Sequence, residues 1–172
     1  MSKSTKRVVS TVAVQCVSQL SNIPSATMFK KWVQAATATV NKPVEITVRI
    51  VNAAEARNLN SAFRGKDYAA NVLTFVYHEN SAPILMGDIV LCAPVVAREA
   101  KAQKKLLKNH YAHLTIHGVL HLAGRDHETA REAAVMESIE IKLLATLGIG
   151  NPYDETFDIN SEAVLAAPST VK

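Results

Sequence analysis

The stretch HGVLHLAGRDH, from residue 117 to residue 127, constrains this chain more than any other. His117 and His121 lie four residues apart in an apolar run, so in a helix their imidazoles share one face. Gly124 follows where such a helix must end, because glycine adopts the left-handed conformation without steric cost. The chain can then double back and bring His127 to the same point. The stretch therefore predicts a helix, a turn and three converging imidazoles.

Three neutral imidazoles are a ligand set typical of catalytic zinc. They leave the fourth tetrahedral position open, whereas four protein ligands usually close a structural zinc site. Cys16 and Cys92 are the two cysteines and do not form a CxxC pair, which argues against a cysteine-rich structural site. We therefore predict that His117, His121 and His127 bind one zinc ion. The residue types alone leave nickel and iron open as alternatives.

Other polar residues near this stretch have simpler interpretations. His110 and His113 precede it on about the same helix side and are expected to be packing or supporting groups rather than ligands. His78 falls in a predicted turn and is expected to be solvated. Asp126 has two interpretations: it caps the following helix, which we favour, or it accepts a hydrogen bond from a ligand imidazole.

Hydrophobic periodicity predicts the element order β-α-β-α-β-β-α-α-α. The strands are expected at about residues 8–17, 44–51, 71–77 and 84–92. The helices are expected at about residues 26–39, 53–63, 94–108, 111–123 and from beyond 127 to 147. Residues 44–51 alternate strictly between apolar and polar, which is typical of a half-buried strand. Residues 71–77 are apolar on both faces, which favours a central strand.

This order predicts an α+β fold. We expect a single domain over residues 1–153, with a four-stranded mixed sheet, about five helices, and the metal site on the C-terminal helices. Residues 154–172 are rich in small and polar side chains and are expected to form a loosely ordered tail.

Four lysines have helical spacing just before the histidine stretch. On the predicted helix 94–108 they would form one basic stripe: Lys101, Lys104, Lys105 and Lys108. One interpretation is a solvated helix face, and the other is a track for the phosphate backbone of RNA.

Composition limits the compartment and the partners. The chain of 172 residues is 48% hydrophobic and 20% charged, as in ordinary globular proteins. Two isolated cysteines favour a reducing compartment. The apolar stretch near residues 8–17 is interrupted by polar residues and too short to span a membrane, so we expect a cytoplasmic protein with no membrane partner. The formal net charge of +4 fits a polyanionic partner but does not establish one.

The histidine spacing also matches the metal tripod of the metzincin proteases. In those enzymes a glutamate follows the first histidine and serves as the general base. Gly118 occupies this position here and cannot transfer a proton. A zinc protease is therefore the second interpretation rather than the first.

The same stretch resembles the signature of the YbeY family of bacterial single-zinc endoribonucleases. Further blocks resemble that family at residues 59–68, 71–75, 87–89 and 147–153. Two positions differ from the usual pattern: Arg125 stands where tyrosine is usual, and Ala70 stands where threonine is common.

The resemblance implies roles for particular residues. His117, His121 and His127 would be the zinc ligands, and Arg64 would be an essential catalytic residue. The implied activity is cleavage of single-stranded RNA in 16S ribosomal RNA 3′-end maturation and ribosome quality control. The implied partners are ribosomal RNA and the ribosome, and no DNA is expected. A third interpretation is a zinc-stabilised protein that binds RNA or the ribosome without cleavage.

Overall fold

The computed structural model describes residues 10–79, 81–125 and 127–154. Over these residues it contains four strands: β1 (Thr11–Cys16), β2 (Val44–Val51), β3 (Val72–Val76) and β4 (Leu85–Cys92). It also contains five helices: α1 (Ala26–Thr37), α2 (Ala53–Arg64), α3 (Ala93–Ala102), α4 (Leu107–Leu122) and α5 (Ala130–Thr146). The predicted element order and the single α+β domain are confirmed. The predicted tail, residues 154–172, lies outside the described residues except for Asp154.

The four strands form one mixed sheet in the order β1-β2-β4-β3. β2 pairs in parallel with β1 and with β4, and β3 pairs antiparallel to β4. The predicted alternation in β2 is confirmed, because Val44, Ile46, Val48 and Ile50 are all buried. These side chains lie in the main core together with residues of α1 and α4.

The prediction of a central strand at residues 71–77 is wrong, because β3 lies at the edge of the sheet. Its apolar character has another cause. Val72 lies in the main core with residues of α1 and α4, whereas Leu73 lies in a second cluster with residues of α2 and α3. Helices therefore cover both faces of β3 at Val72 and Leu73, while one edge of the strand stays without a neighbouring strand among the described residues.

The prediction of one helix from Pro94 to Lys108 is also wrong. α3 ends at Ala102, and Lys104 adopts a left-handed conformation with φ of 52°. The Lys105 N–H then donates to the Ala100 carbonyl at 2.9 Å. This hydrogen bond closes the helix end and offsets the cost of about 1–2 kcal/mol for a non-glycine residue in that conformation.

The break separates the four lysines, so they do not share one helix face. Lys101 lies in α3 and Lys108 in α4, and both are exposed. Lys105 is half-buried, and its Nζ donates to the carbonyl of Pro152 at 2.6 Å. A role of these lysines in RNA binding stays a prediction, without the continuous stripe that suggested it.

The central element is α4, which is buried on every side over most of its length. Each residue from His110 to Leu120 is buried, and the helix contacts α1, α3, α5 and the sheet. Gly87 of β4 permits this close packing at the C-terminal end of α4. A Cβ atom there would lie 2.6 Å from the Phe75 carbonyl oxygen and 2.7 Å from Leu122 Cδ2.

We expect Gly87→Ala to lower the free energy of unfolding by about 1–3 kcal/mol, because the Phe75 carbonyl belongs to the sheet and cannot move aside. Urea denaturation measures this change. Gly150→Ala is the matched control, since nothing lies within 4 Å of a Cβ there. Equal unfolding free energies for the two variants would contradict the close packing at Gly87.

Candidate metal centre

The turn predicted at Gly124 is present. His117 and His121 lie in the last turns of α4, and Gly124 has φ of 91°. The Arg125 N–H donates to the Leu120 carbonyl at 3.0 Å, which is the hydrogen bond that closes a helix with a left-handed residue. The chain thereby reverses its direction and returns His127 to the end of α4.

The three histidines form one cluster that can hold a metal ion. One ring nitrogen from each lies within 4.8 Å of the others. Ring centroids are 4.6 Å apart for His117 and His121, 4.7 Å for His121 and His127, and 5.5 Å for His117 and His127. His117 is buried, and the other two are half-buried. The cluster is therefore partly accessible to solvent.

A buried carboxylate that the sequence analysis missed supports this cluster. Glu140 of α5 is fully buried, and its Oε1 accepts a hydrogen bond from His117 Nδ1 at 2.5 Å. Its Oε2 accepts hydrogen bonds from His113 Nε2 at 2.9 Å and from the Tyr153 hydroxyl. Burial raises the pKa of Glu140, but the hydrogen bonds from the two histidines outweigh burial and hold this pKa at about 2. The carboxylate is therefore ionised at neutral pH.

The orientation of His117 suits a metal ligand. Because its Nδ1–H donates to Glu140, its Nε2 carries the free lone pair. That Nε2 lies 3.0 Å from Nε2 of His121. Two lone pairs at this distance repel each other unless a proton or a cation lies between them. The donor set and its geometry thus fit a cation that prefers imidazole ligands, such as zinc, nickel or iron.

Asp126 is predicted to cap the helix that follows, but the N-cap position of that helix is occupied by another residue. α5 is capped by Thr129, whose Oγ1 accepts from the Glu132 N–H at 3.1 Å, while Glu132 accepts from the Thr129 N–H at 3.2 Å. Asp126 itself lies outside the described residues, so its hydrogen bond to a ligand imidazole stays a prediction. For His117, the structure gives Glu140 as the carboxylate partner.

A sequence signal for Glu140 was present. It lies four residues after Met136 and four before Leu144, and all three are buried on one side of α5. A single acidic residue within an apolar stripe of a helix indicates a buried, hydrogen-bonded carboxylate. The partner could not be named from the sequence, because it lies on another helix.

The other three histidines lie outside the cluster, two of them buried in the core and one exposed to solvent. His113 is buried against Glu140, and burial lowers the pKa of its imidazole. His110 is also buried, with its Nε2 3.2 Å from Glu99 Oε1. His78 is exposed.

Gly118 packs closely against β4, at the position where the metzincin proteases carry glutamate. Its Cα faces β4, and a Cβ atom would lie 3.0 Å from Ile89 Cγ2. A carboxylate side chain at this position would enter the core between α4 and β4. The metzincin general base is thus absent from the sequence, and a glutamate at this position would place its side chain against Ile89 in the core.

The histidine cluster opens into a cleft of about 820 Å³, bordered by β3 and by the end of α2. Arg64 is the last residue of α2, and Gly65 ends the helix with φ of 67°. The Asn60 side chain donates to the Tyr68 carbonyl at 2.8 Å and so holds the loop that follows. Arg64 and Lys66 both line the cleft beside the three histidines. The four lysines discussed above are not part of its described lining.

The charge of this cleft is positive. Its described lining includes two cations and no acidic side chain. Arg57, about two turns earlier in the same helix, is paired with Asp67 through contacts of 2.6 and 2.9 Å. No described carboxylate pairs with Arg64 in the same way. Arg64 thus lines the cleft without a described carboxylate partner, a position that suits contact with an anionic ligand.

Fold and site together define a mixed-sheet α+β domain with a candidate metal centre in a basic cleft. The profile of the family described as "Endoribonuclease YbeY" matches residues 14–148. The chain belongs to this family, which confirms the resemblance seen in the sequence. Among the described residues, no helix has the length and apolar character needed to cross a membrane.

Individual relatives agree with this assignment. A protein of Aromatoleum aromaticum named Endoribonuclease YbeY is 54% identical over 130 residues, covering 76% of this chain and 81% of its own. A protein of the same name from Nitrosomonas eutropha is 53% identical over 142 residues, covering 83% of this chain and 97% of its own. The solution structure of a Thermotoga maritima protein shares the fold, with a TM-score of 0.57 and 21% identity over 88% of this chain and all of that one.

We expect Glu140→Gln to weaken the predicted binding of zinc about 10- to 100-fold, because the neutral amide orients His117 less well and replaces one acceptor by a donor. Competition titration with a chromogenic chelator measures the affinity. Glu137→Gln, an exposed change on the same helix, is the control, and His121→Ala marks the loss of a ligand. An unchanged affinity in Glu140→Gln would show that Glu140 does not support the site.

Proposed function

We propose that this protein is a zinc-dependent endoribonuclease that cuts single-stranded RNA. Its biological substrate would be the 3′ end of 16S ribosomal RNA, and its partner the ribosome, in maturation and quality control. The observation that carries the proposal is the position of Arg64 and Lys66 beside the three histidines, in a cleft whose described lining has no acidic side chain. Such a cleft suits a phosphodiester backbone. The names of the relatives, endoribonucleases of the same family, support the same activity.

The proposed ligands of the zinc ion are His117, His121 and His127. Bound there, zinc would supply Lewis acidity that polarises a phosphoryl oxygen. Glu140 holds His117 through the hydrogen bond at Nδ1, so that Nε2 faces the cluster. Arg64 binds the non-bridging phosphate oxygens and offsets the charge that develops on them during cleavage.

Residue 118 takes no part in proton transfer, because it is a glycine packed against Ile89. The proton of the attacking group must therefore be accepted by a group other than the side chain at position 118, where a glutamate accepts it in the metzincin proteases. The 2′-hydroxyl of RNA and water are the two candidate nucleophiles. The 2′-hydroxyl is present only in RNA, so attack by this group would be confined to phosphodiester cleavage, whereas attack by water would need a base other than residue 118.

We expect Arg64→Ala to lower kcat for a single-stranded RNA by about 100-fold or more, with the zinc content unchanged. Cleavage assays and metal analysis of the same preparations give both values. Arg57→Ala is the matched control, because this exposed arginine of the same helix is paired with Asp67. Full activity in Arg64→Ala would remove Arg64 from the mechanism.

Three activities are separated by incubating the purified protein with single-stranded RNA and with casein, each with and without a chelator. We expect loss of RNA that the chelator blocks, and intact casein, because the site lacks the protease base. Loss of casein would support a protease instead. Retention of RNA without cleavage would support a zinc-stabilised binding protein.

A further inference from the structure

Exposed apolar side chains are concentrated along the cleft. Phe63 is 68% exposed, Tyr77 is 57% exposed and Val76 is 53% exposed, and all three line the cleft beside the histidine cluster. Large apolar side chains that stay exposed within a concave site often mark a binding surface. The chain has few aromatic residues, 5% of its composition, so two exposed rings in one cleft need an explanation.

Each of the two rings, Phe63 and Tyr77, is held in place by one contact. The Phe63 ring packs against Phe75 in an edge-to-face arrangement, with centroids 5.2 Å apart. The Tyr77 hydroxyl donates to Asp88 of β4. Each ring is thereby restrained while more than half of the residue's surface stays accessible. Restrained aromatic side chains lose little conformational entropy when they bind a ligand.

The free edge of β3 provides polar groups beside these rings. The Tyr77 N–H donates to the Met86 carbonyl at 3.0 Å, and the Cys92 N–H donates to the Asn71 carbonyl at 2.9 Å. In an antiparallel pair, successive residues alternate between facing the partner strand and facing away from it. The backbone N–H and C=O groups of Thr74 and Val76 therefore point away from β4, and both residues line the cleft.

We propose that Phe63 and Tyr77 form a nucleobase subsite, in which unpaired bases next to the cleaved phosphate stack on the two rings. The proposal rests on the endoribonuclease function above and adds the part of the substrate that the cleft recognises. Phe63 directly precedes Arg64 in the chain, so a base on the ring and a phosphate on the guanidinium would belong to neighbouring positions of one strand. Aromatic rings beside cations are the usual arrangement for binding single strands.

This subsite gives a physical basis for selecting single strands. In a duplex both faces of each base are already stacked, so no base is available to the rings. An extended peptide along the free edge of β3 is the competing ligand. The cations Arg64 and Lys66, without an acidic side chain in the described lining, favour the phosphate-bearing strand over it.

The test compares wild type with Phe63→Ala and Tyr77→Ala, all zinc-loaded. The probes are a short fluorescent 2′-O-methyl RNA, the same strand with abasic sites, and an uncharged extended peptide, each followed by fluorescence anisotropy. Cleavage of the unmodified RNA is measured in parallel. Two conservative variants separate the ring from other effects. Phe63→Leu removes the aromatic ring but keeps a large apolar side chain, and Tyr77→Phe keeps the ring but removes the hydroxyl. Leu106→Ala is the control, because Leu106 is 69% exposed outside the described lining of the cleft.

We expect each alanine variant to bind the base-bearing strand about tenfold more weakly than wild type, as is typical when one stacking ring is removed. Tyr77→Phe should restore most of the affinity, Phe63→Leu should not, and Leu106→Ala should match wild type. The abasic strand should bind weakly and equally to all variants, because it keeps the phosphates and lacks the bases.

Two results would overturn the subsite while leaving the proposed function in place. One is cleavage of RNA by wild type together with equal affinity for base-bearing and abasic strands. The other is tighter binding of the peptide than of RNA, with the loss in the alanine variants confined to the peptide. If wild type neither binds nor cleaves RNA, the endoribonuclease function fails, and the nucleobase subsite fails with it.

Discussion

The buried carboxylate of Glu140 connects the parts of the chain that make the site. It accepts hydrogen bonds from His117 and His113 of α4 and from Tyr153, which follows α5. An ionised carboxylate in the core would be strongly destabilising without such donors. With them, the same interaction joins α5 to α4 and leaves one defined nitrogen of His117 facing the other imidazoles. The orientation of the candidate metal ligands therefore depends on a contact between two helices, and not on the local helix alone.

The second constraint is the close approach of α4 to the sheet. Gly87 accommodates Leu122 of α4, and Gly118 accommodates Ile89 of β4. This packing buries most of α4 and brings its C-terminal end to the edge strand β3. It also leaves only a tight contact with Ile89 at the position where a metzincin protease carries its base. The packing that places the histidines thus separates this site from a protease whose histidines have the same spacing.

Charge is divided between the two sides of the histidine cluster. The ionised Glu140 lies behind it in the core, and the cations Arg64 and Lys66 lie in front of it in the cleft. A negative charge behind an imidazole increases its basicity as a metal ligand. Positive charges in front attract a polyanion. The exposed rings of Phe63 and Tyr77 add an uncharged surface to the same cleft, so phosphate and base can be bound by different groups.

Local patterns determined the element order, the turn at Gly124 and the three histidines, because helical spacing and glycine conformation act over a few residues. The same patterns gave wrong predictions where contacts between distant residues determine the position of a strand or the end of a helix. The edge position of β3 depends on which strands pair, and the end of α3 at Lys104 depends on a hydrogen bond that offsets an unfavourable conformation. The sequence by itself determined which residues can bind a metal. Only the tertiary structure placed Glu140 behind them and Arg64 in front, since those contacts join residues from separate helices that no local spacing relates.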